Sequence, residues 1–388
     1  MPSFNVFLKS KLPKTGNSIF SIMSALANEY QAINLSQGFP DFEVSTELIS
    51  LVNQFMKKGI NQYAPMPGIL KLRELIAAKA EKRYGIKYHP ESEVTITSGG
   101  TQAIFTAIAA TIREKDEVII FDPAYDSYSP AVVLAGGIPV HAELKLPDFH
   151  IDWNEVKKLI NQRTRMIIIN TPHNPSGAVL SVKDMQMLEK ITAKTDILIL
   201  SDEVYEHVIY DDQAHCSVAR FPKLAERSFI VYSFGKTFHT TGWKIGYCLA
   251  PEKLMTEFRK VHQFMVFSAN TPIQYAYADF MKDEKNLTGI ESFYQEKRNY
   301  FIKLISGSGF KILPCYGSYF QLLDFSKLSK EKDLDFAIRI TKDFGVASIP
   351  VSAFYKNGTD HKLLRFCFAK TNATLEQAAE KLLRITKQ

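Results

Sequence analysis

Glu93-Val-Thr-Ile-Thr-Ser-Gly-Gly-Thr-Gln-Ala-Ile-Phe-Thr-Ala-Ile-Ala-Ala-Thr-Ile112, followed by Glu117-Val-Ile-Ile-Phe121, is the stretch that decides the fold. A β-branched run over 93–97 reads as a strand, the apolar spacing over 101–112 as a helix, and 117–121 as a second buried strand. The turn between the first two elements, Ser98-Gly-Gly-Thr-Gln102, is built of small residues. Such a turn exposes backbone N–H groups at a helix start, where the dipole welcomes an anion such as phosphate. The competing reading is a plain helix cap by Ser98 or Thr101.

Outward from this unit the same alternation continues. Helices are predicted over 68–84, 127–134 and 183–193, with strands at 138–142, 165–170, 197–201 and 229–234. This is the pattern of a wound α/β sheet covered on both faces. A long helix is predicted after Pro251. From about residue 287 the order changes to helix, strand 319–324, helix 334–344, strand 363–369 and a terminal helix, which is α+β in character. We therefore expect a large domain over 46–282 and a smaller one formed by 1–45 with 283–388, the N-terminal segment being too irregular to stand alone.

Composition narrows the function classes. The 388 residues are 46% hydrophobic and 23% charged, an ordinary globular balance. The net charge of +6 comes from scattered Lys and Arg rather than runs, which argues against a nucleic-acid footprint. Cys216, Cys248, Cys315 and Cys367 show no paired spacing and read as free thiols of a cytoplasmic protein. Met1 to Lys9 is too short and polar for a signal peptide, and runs such as Met166-Ile-Ile-Ile169 are too short to span a bilayer.

In wound α/β proteins ligands gather where strands end, so residues just past each strand are the candidates. Ser233-Phe-Gly-Lys236 and Thr241-Gly-Trp-Lys244-Ile-Gly246 follow the strand 229–234 and set Lys236 among a hydroxyl, glycines and a second cation. A lysine so placed can condense with an aldehyde, and Ser233 with Lys244 can hold a dianion; pyridoxal phosphate carries both groups. A surface lysine in a loop is the bland alternative. Asp122-Pro-Ala-Tyr125 presents a ring that can stack on a flat cofactor or sit half-buried in the core. Asn170-Thr-Pro-His-Asn174-Pro175 is a stiff turn whose Asn174 amide can donate to a phenolate, with Asn174–Pro175 a candidate cis bond. Asp202 ends the most apolar strand, where a carboxylate needs a partner such as a ring N–H. The neighbours Glu203, Glu206 and His207 match no metal-ligand spacing. Arg365 lies inside the apolar strand 363–369 and suits either a substrate carboxylate or an internal salt bridge.

Taken together, Asn34-Leu-Ser-Gln-Gly-Phe-Pro-Asp-Phe42, Asn61-Gln-Tyr-Ala-Pro-Met66, Thr171-Pro-His-Asn-Pro-Ser176, Ser201-Asp-Glu-Val-Tyr-Glu-His207 and Thr241-Gly-Trp-Lys-Ile-Gly-Tyr-Cys248 resemble the class I aminotransferases. These are the fold-type I pyridoxal-phosphate enzymes of the aspartate aminotransferase superfamily, and the blocks look most like the branch of methionine and kynurenine/glutamine transaminases. The resemblance implies a mixed, mostly parallel seven-stranded sheet between helices, plus a smaller α+β domain. It implies that Lys236 bonds the cofactor aldehyde, Asp202 partners the ring nitrogen, Asn174 and Tyr205 face the ring hydroxyl, and Tyr125 stacks. Gly100, Thr101, Gln102, Ser233 and Lys244 would hold the phosphate, joined by Tyr63 from a neighbouring subunit. Arg365, with Asn174 and the Gly38 backbone, would take the substrate carboxylate. A homodimer with shared sites follows. Lys244 stands where the wider superfamily often has arginine.

No second arginine for a distal carboxylate can be named, and Phe20, Phe39 and Tyr63 offer apolar and aromatic walls. Methionine and aromatic or other neutral amino acids are therefore expected over aspartate. Kynurenine aminotransferase and cysteine-conjugate β-lyase activity are the alternatives within this chemistry, with aspartate aminotransferase behind them. A cofactor-binding transcription regulator is disfavoured, since the fold pattern starts near residue 20.

Overall fold

The computed structural model describes residues 8–13 and 15–385; most of the polar Met1–Lys9 stretch lies outside them. Seven strands build the main sheet: β1 (Val94–Thr97), β2 (Glu117–Asp122), β3 (Ile138–Glu143), β4 (Thr164–Asn170), β5 (Leu198–Asp202), β6 (Ser228–Ser233) and β7 (Gly246–Leu249). Their order is β1-β7-β6-β5-β4-β2-β3. Only β7 runs antiparallel to its neighbours β1 and β6; the rest are parallel.

The inner parallel strands β2, β4, β5 and β6 are buried on both sides, as a sheet covered on both faces requires, whereas the edge strand β3 is part-exposed. Because successive side chains alternate, each strand feeds two cores. Ile119, Ile167, Ile169, Ile199 and Ile230 enter one. Val118, Ile120, Ile168, Leu200 and Val231 enter the other, against Ile104 and Ile108 of the helix Gly99–Thr111 and Met255 and Phe258 of the helix Glu252–Met265.

A second, four-stranded antiparallel sheet comprises β8 (Lys311–Ile312), β9 (Phe320–Asp324), β10 (Ile349–Pro350) and β11 (Leu363–Cys367), in the order β10-β11-β9-β8. Register places Arg365 between Leu322 and Ile349. The helices Asp333–Asp343 and Asn372–Leu383 complete this smaller α+β part. Ile33 and Asn34 pair in parallel with Val346 and Ala347, tying the N-terminal segment to it.

Three expectations need correction. The N-terminal segment is not irregular throughout: Ile19–Glu29 is a helix, capped by Ser18 and buried along Met23 and Ala27, four residues apart on one face. The long helix after Pro251 is two helices, Glu252–Met265 and Thr271–Phe280. Phe267 takes a left-handed φ of 69° between them, and Asn270 and Pro272 start the second, since proline fits a helix only in its first turn. Finally, Gly246-Tyr-Cys-Leu249 is a strand, hidden in sequence because it opens on a glycine and has no β-branched residue.

Candidate active site

A cavity of about 370 Å³ opens where β4, β5 and β6 end, and the smaller sheet closes its far side through Phe320 and Arg365. Of the residues singled out above, Phe20, Gly38, Gly100, Thr101, Tyr125, Asn174, Asp202, Tyr205, Ser233, Lys236, Lys244 and Arg365 line it together. Gln102 and Tyr63 do not. The Gln102 side chain turns back, accepting from the Ser98 N–H at 2.9 Å and donating to Thr106, with His262 Nδ1 at 3.2 Å. Tyr63 is 81% exposed and meets only the ring of Phe267 edge-on, at 5.2 Å.

The anion side is built from backbone. Ser98 makes no capping hydrogen bond, so the helix Gly99–Thr111 starts with free N–H groups, against the plain-cap reading. Gly99 adopts φ 79°, and a Cβ there would lie 3.4 Å from Lys244 Nζ. A Cβ on Gly246 would come within 2.5 Å of the Tyr232 carbonyl oxygen and 3.0 Å of the Gly99 carbonyl carbon. These glycines let β7, the helix start and the ammonium of Lys244 close around one small concave space, with Ser233 on its rim. Such a space suits a phosphate.

Asp202 is buried and accepts from Tyr128 Oη at 2.6 Å and from the Val204 N–H at 3.3 Å. Burial pushes its carboxyl up to about 6 despite the Tyr128 bond, which is the state of a carboxylate lacking a cation at contact. Tyr128, the first residue of the helix Tyr128–Leu134, escaped the sequence reading, since nothing local shows that its hydroxyl reaches Asp202. Glu203 and Glu206 serve separate buried networks. Glu203 accepts from Ser201, His215 and Tyr232, and Glu206 pairs with Lys79 and Tyr84.

Lys236, half-buried at the cavity wall, donates to Tyr319 Oη at 2.8 Å and to the Gly38 carbonyl at 3.3 Å. Burial lowers its amine to about 8, so a substantial neutral fraction exists near neutrality. This is not a lysine in a surface loop. The Tyr205 ring lies 5.6 Å from Nζ, its phenol pushed up by burial.

Arg365 is 1% exposed. It donates to Asn174 Oδ1 at 2.7 Å and to the Ser36 carbonyl at 2.8 Å, while its Nε has no partner. The guanidinium lies 3.9 Å from the Phe320 ring centroid and 5.1 and 5.2 Å from those of Phe20 and Phe354. No carboxylate pairs with it among the described residues, so the internal salt bridge is absent. Asn174, which precedes the cis bond to Pro175, is held by its N–H to Asn170 Oδ1 at 2.8 Å. With its Oδ1 engaged by Arg365, its NH₂ is the free end.

Residues 30–382 match the family model of aminotransferase class I and II. The chain belongs to this family. The aminotransferase is 47% identical to the methionine aminotransferase of Escherichia coli strain K12 over 97% of its own length and 98% of that protein's. It shares 34% identity with kynurenine–oxoglutarate transaminase 1 of Mus musculus, covering 92% of each chain. Among solved structures, that of Escherichia coli YbdL, identified as a methionine aminotransferase, superposes on it with a TM-score of 0.96, covering 98% of this chain and 100% of that one. The N-succinyldiaminopimelate aminotransferase of Mycobacterium tuberculosis follows at 34% identity and a TM-score of 0.94, covering 98% and 100%. As an aminotransferase, the protein carries a mixed, mostly parallel sheet flanked by helices. No helix among the described residues is long and apolar enough to cross a membrane.

Proposed function

We propose that the cavity binds pyridoxal phosphate and that the enzyme moves the α-amino group of methionine, and of aromatic and other neutral amino acids, to a 2-oxo acid in two half-reactions. The observation that carries this is the convergence in one cavity of a lysine amine lowered to about 8, a buried carboxylate without a cation and a buried guanidinium without a carboxylate. Each lacks a partner that the cofactor or an amino acid substrate supplies.

The residues fit the group. Gly99, Gly100, Thr101, Ser233 and Lys244 would hold the phosphate, Lys244 as a point charge. Tyr125 would stack on the ring, Asn174 and Tyr205 would donate to its hydroxyl, and Asp202 would keep a proton on its nitrogen. When bound, the cofactor supplies an aldehyde that condenses with amines and a ring that withdraws electrons from bonds at Cα.

The chain's own groups do the rest. Arg365 fixes the substrate carboxylate in a bidentate fork, orienting Cα, and Lys236 as the free amine takes the Cα proton and would return it to the carbon that brought the cofactor's aldehyde. A pKa near 8 suits both directions of that transfer. Phe20, Phe39 and Phe320 give the cavity apolar walls, which favours apolar substrates. Cations lining the cavity are limited to Lys236, Lys244 and Arg365, and each already has a role in this reading.

We place the lobes at 46–282 and at 1–45 with 283–388, in a cytoplasmic homodimer with shared sites. The exposure of Tyr63, of Phe264 at 84% and of Phe267 at 45% supports a covered face there. The decisive experiment is Lys236→Ala. Turnover with methionine should vanish, as should the mass gain at this position after borohydride reduction with pyridoxal phosphate. Retained turnover refutes the assignment.

A further inference from the structure

We infer that Tyr319 is a positioning residue for the Lys236 amine: its hydroxyl accepts from Nζ while donating to the Gly38 carbonyl, and so fixes where the amine rests whenever it is not covalently engaged. The inference rests on the reading of Lys236 given above. Tyr319 is fully buried and precedes β9. Its oxygen lies 2.7 Å from the Gly38 carbonyl and 2.8 Å from Lys236 Nζ, and Nζ itself lies 3.3 Å from that carbonyl.

The Gly38 carbonyl can only accept, and at 2.7 Å it is nearer to the hydroxyl than to Nζ, so it takes the phenolic proton and the same oxygen faces Nζ as an acceptor. The direction of the second bond is thereby set. An N–H of the amine is turned toward Tyr319, which leaves the lone pair of the neutral form for other directions. The ring cannot swing away. It packs edge-on against Tyr205 at 5.1 Å and Phe320 at 4.9 Å, and lies 5.8 Å from Tyr294. A Cβ on Gly38 would come within 2.7 Å of the Phe320 ring, so glycine lets the carbonyl reach this depth.

The other ionisable groups around Nζ are Asp202 and Tyr205 at the end of β5, Lys244 before β7, and Arg365 and Cys367 on β11. Asp202 and Cys367 favour the charged amine; Lys244 and Arg365 oppose it. A hydroxyl that accepts from the ammonium acts with the first pair. Tyr319→Phe keeps the ring and removes that acceptor.

The test labels the full chain, stripped of cofactor, with a pulse of acetic anhydride across a pH series and reads acetylation of the Lys236 peptide by mass spectrometry. In Tyr319→Phe the midpoint of Lys236 reactivity should fall by about one pH unit, the size expected for losing one hydrogen bond to a charged group. Tyr294→Phe, which loses a hydroxyl bonded to His239 Nδ1 at 2.9 Å, should leave it in place. In the loaded enzyme, Tyr319→Phe should lower kcat about tenfold with KM little changed, because it disturbs the amine and not the carboxylate site. An unmoved midpoint, or an equal shift in Tyr294→Phe, overturns the inference. Borohydride trapping separates the two claims. If the wild type fails to trap the cofactor at Lys236, the functional reading falls; if Tyr319→Phe traps it normally with an unmoved midpoint, only the role of Tyr319 falls.

Discussion

Replacing Arg365 with methionine keeps an unbranched apolar stem among Phe20, Phe320 and Phe354 and deletes the guanidinium. Losing one partner of a buried, hydrogen-bonded charge pair costs about 2–5 kcal/mol of binding. If that pair is made with the substrate carboxylate, kcat/KM for methionine should fall roughly 30- to 5,000-fold. Stability should behave differently. The wild type already bears the desolvation cost of an unpaired cation, which Arg365→Met removes, whereas the Asn174 Oδ1 and Ser36 carbonyl acceptors lose a donor. These effects oppose each other, and the adjoining cavity admits water, so Tm of the cofactor-free protein should move by no more than about 5 °C. The assay compares kcat/KM for methionine with that for methioninamide, which lacks the carboxylate. Arg365→Met should collapse the preference for the acid and leave the amide nearly untouched. A loss below tenfold on methionine, or equal losses on acid and amide, would refute the reasoning.

Two further predictions concern protonation. Asp202→Asn should cut kcat at least about a thousandfold, since the ring nitrogen would lose the carboxylate that keeps its proton. Because the folded carboxyl lies near 6, above the unfolded 3.8, its contribution is present at low pH and lost as pH rises through 6. Asp202→Asn should therefore raise Tm of the cofactor-free protein above pH 7 and lower it once cofactor is added; the reverse pattern in thermal melts would count against a cation facing Asp202. Buried His173 and His262 are held neutral by burial, near 4, and His207 likewise near 3, all below the unfolded 6.5. Their contribution to stability is intact above pH 6.5 and lost as pH falls through 4, by roughly 3 kcal/mol for fully titrated His173 or His262 and about 5 kcal/mol for His207. Urea midpoints should decline through that window, and less steeply in His262→Gln; identical slopes would exclude His262 as a contributor.

The main sheet was legible because its inner parallel strands are short apolar runs rich in Ile, Val and Leu, and a strand buried on both faces must read that way. Gly246–Leu249 was not, since it opens on a glycine and has no β-branched residue, unlike the equally short Val94–Thr97. The cavity residues were legible where chemistry demands an unusual type at a strand end: Asp202 after an apolar run, Arg365 inside one, Lys236 beside a glycine. Tyr128, Tyr319 and Phe320 were not, because an aromatic residue reads first as core, and they are indeed buried. Their roles depend on which long-range neighbour each meets, Asp202, Lys236 and Arg365 respectively, and no local pattern encodes that.

The way the site holds its cations follows one physical logic. Arg365 donates to the Ser36 carbonyl and Lys236 to that of Gly38, so one short N-terminal loop receives both. A carboxylate in place of these carbonyls would bind each cation more strongly, but a substrate acid would then have to break an ion pair before it could bind. Neutral acceptors orient the cations and leave their charge unspent. The segment 34–38 can serve this way because Ile33 and Asn34 are fixed to Val346 and Ala347, and Asn34 Oδ1 in turn accepts from the Ser36 N–H at 3.0 Å and its hydroxyl at 2.7 Å. The backbone pairing that joins the N-terminus to the smaller sheet is thus also what keeps the substrate-facing charges oriented and free.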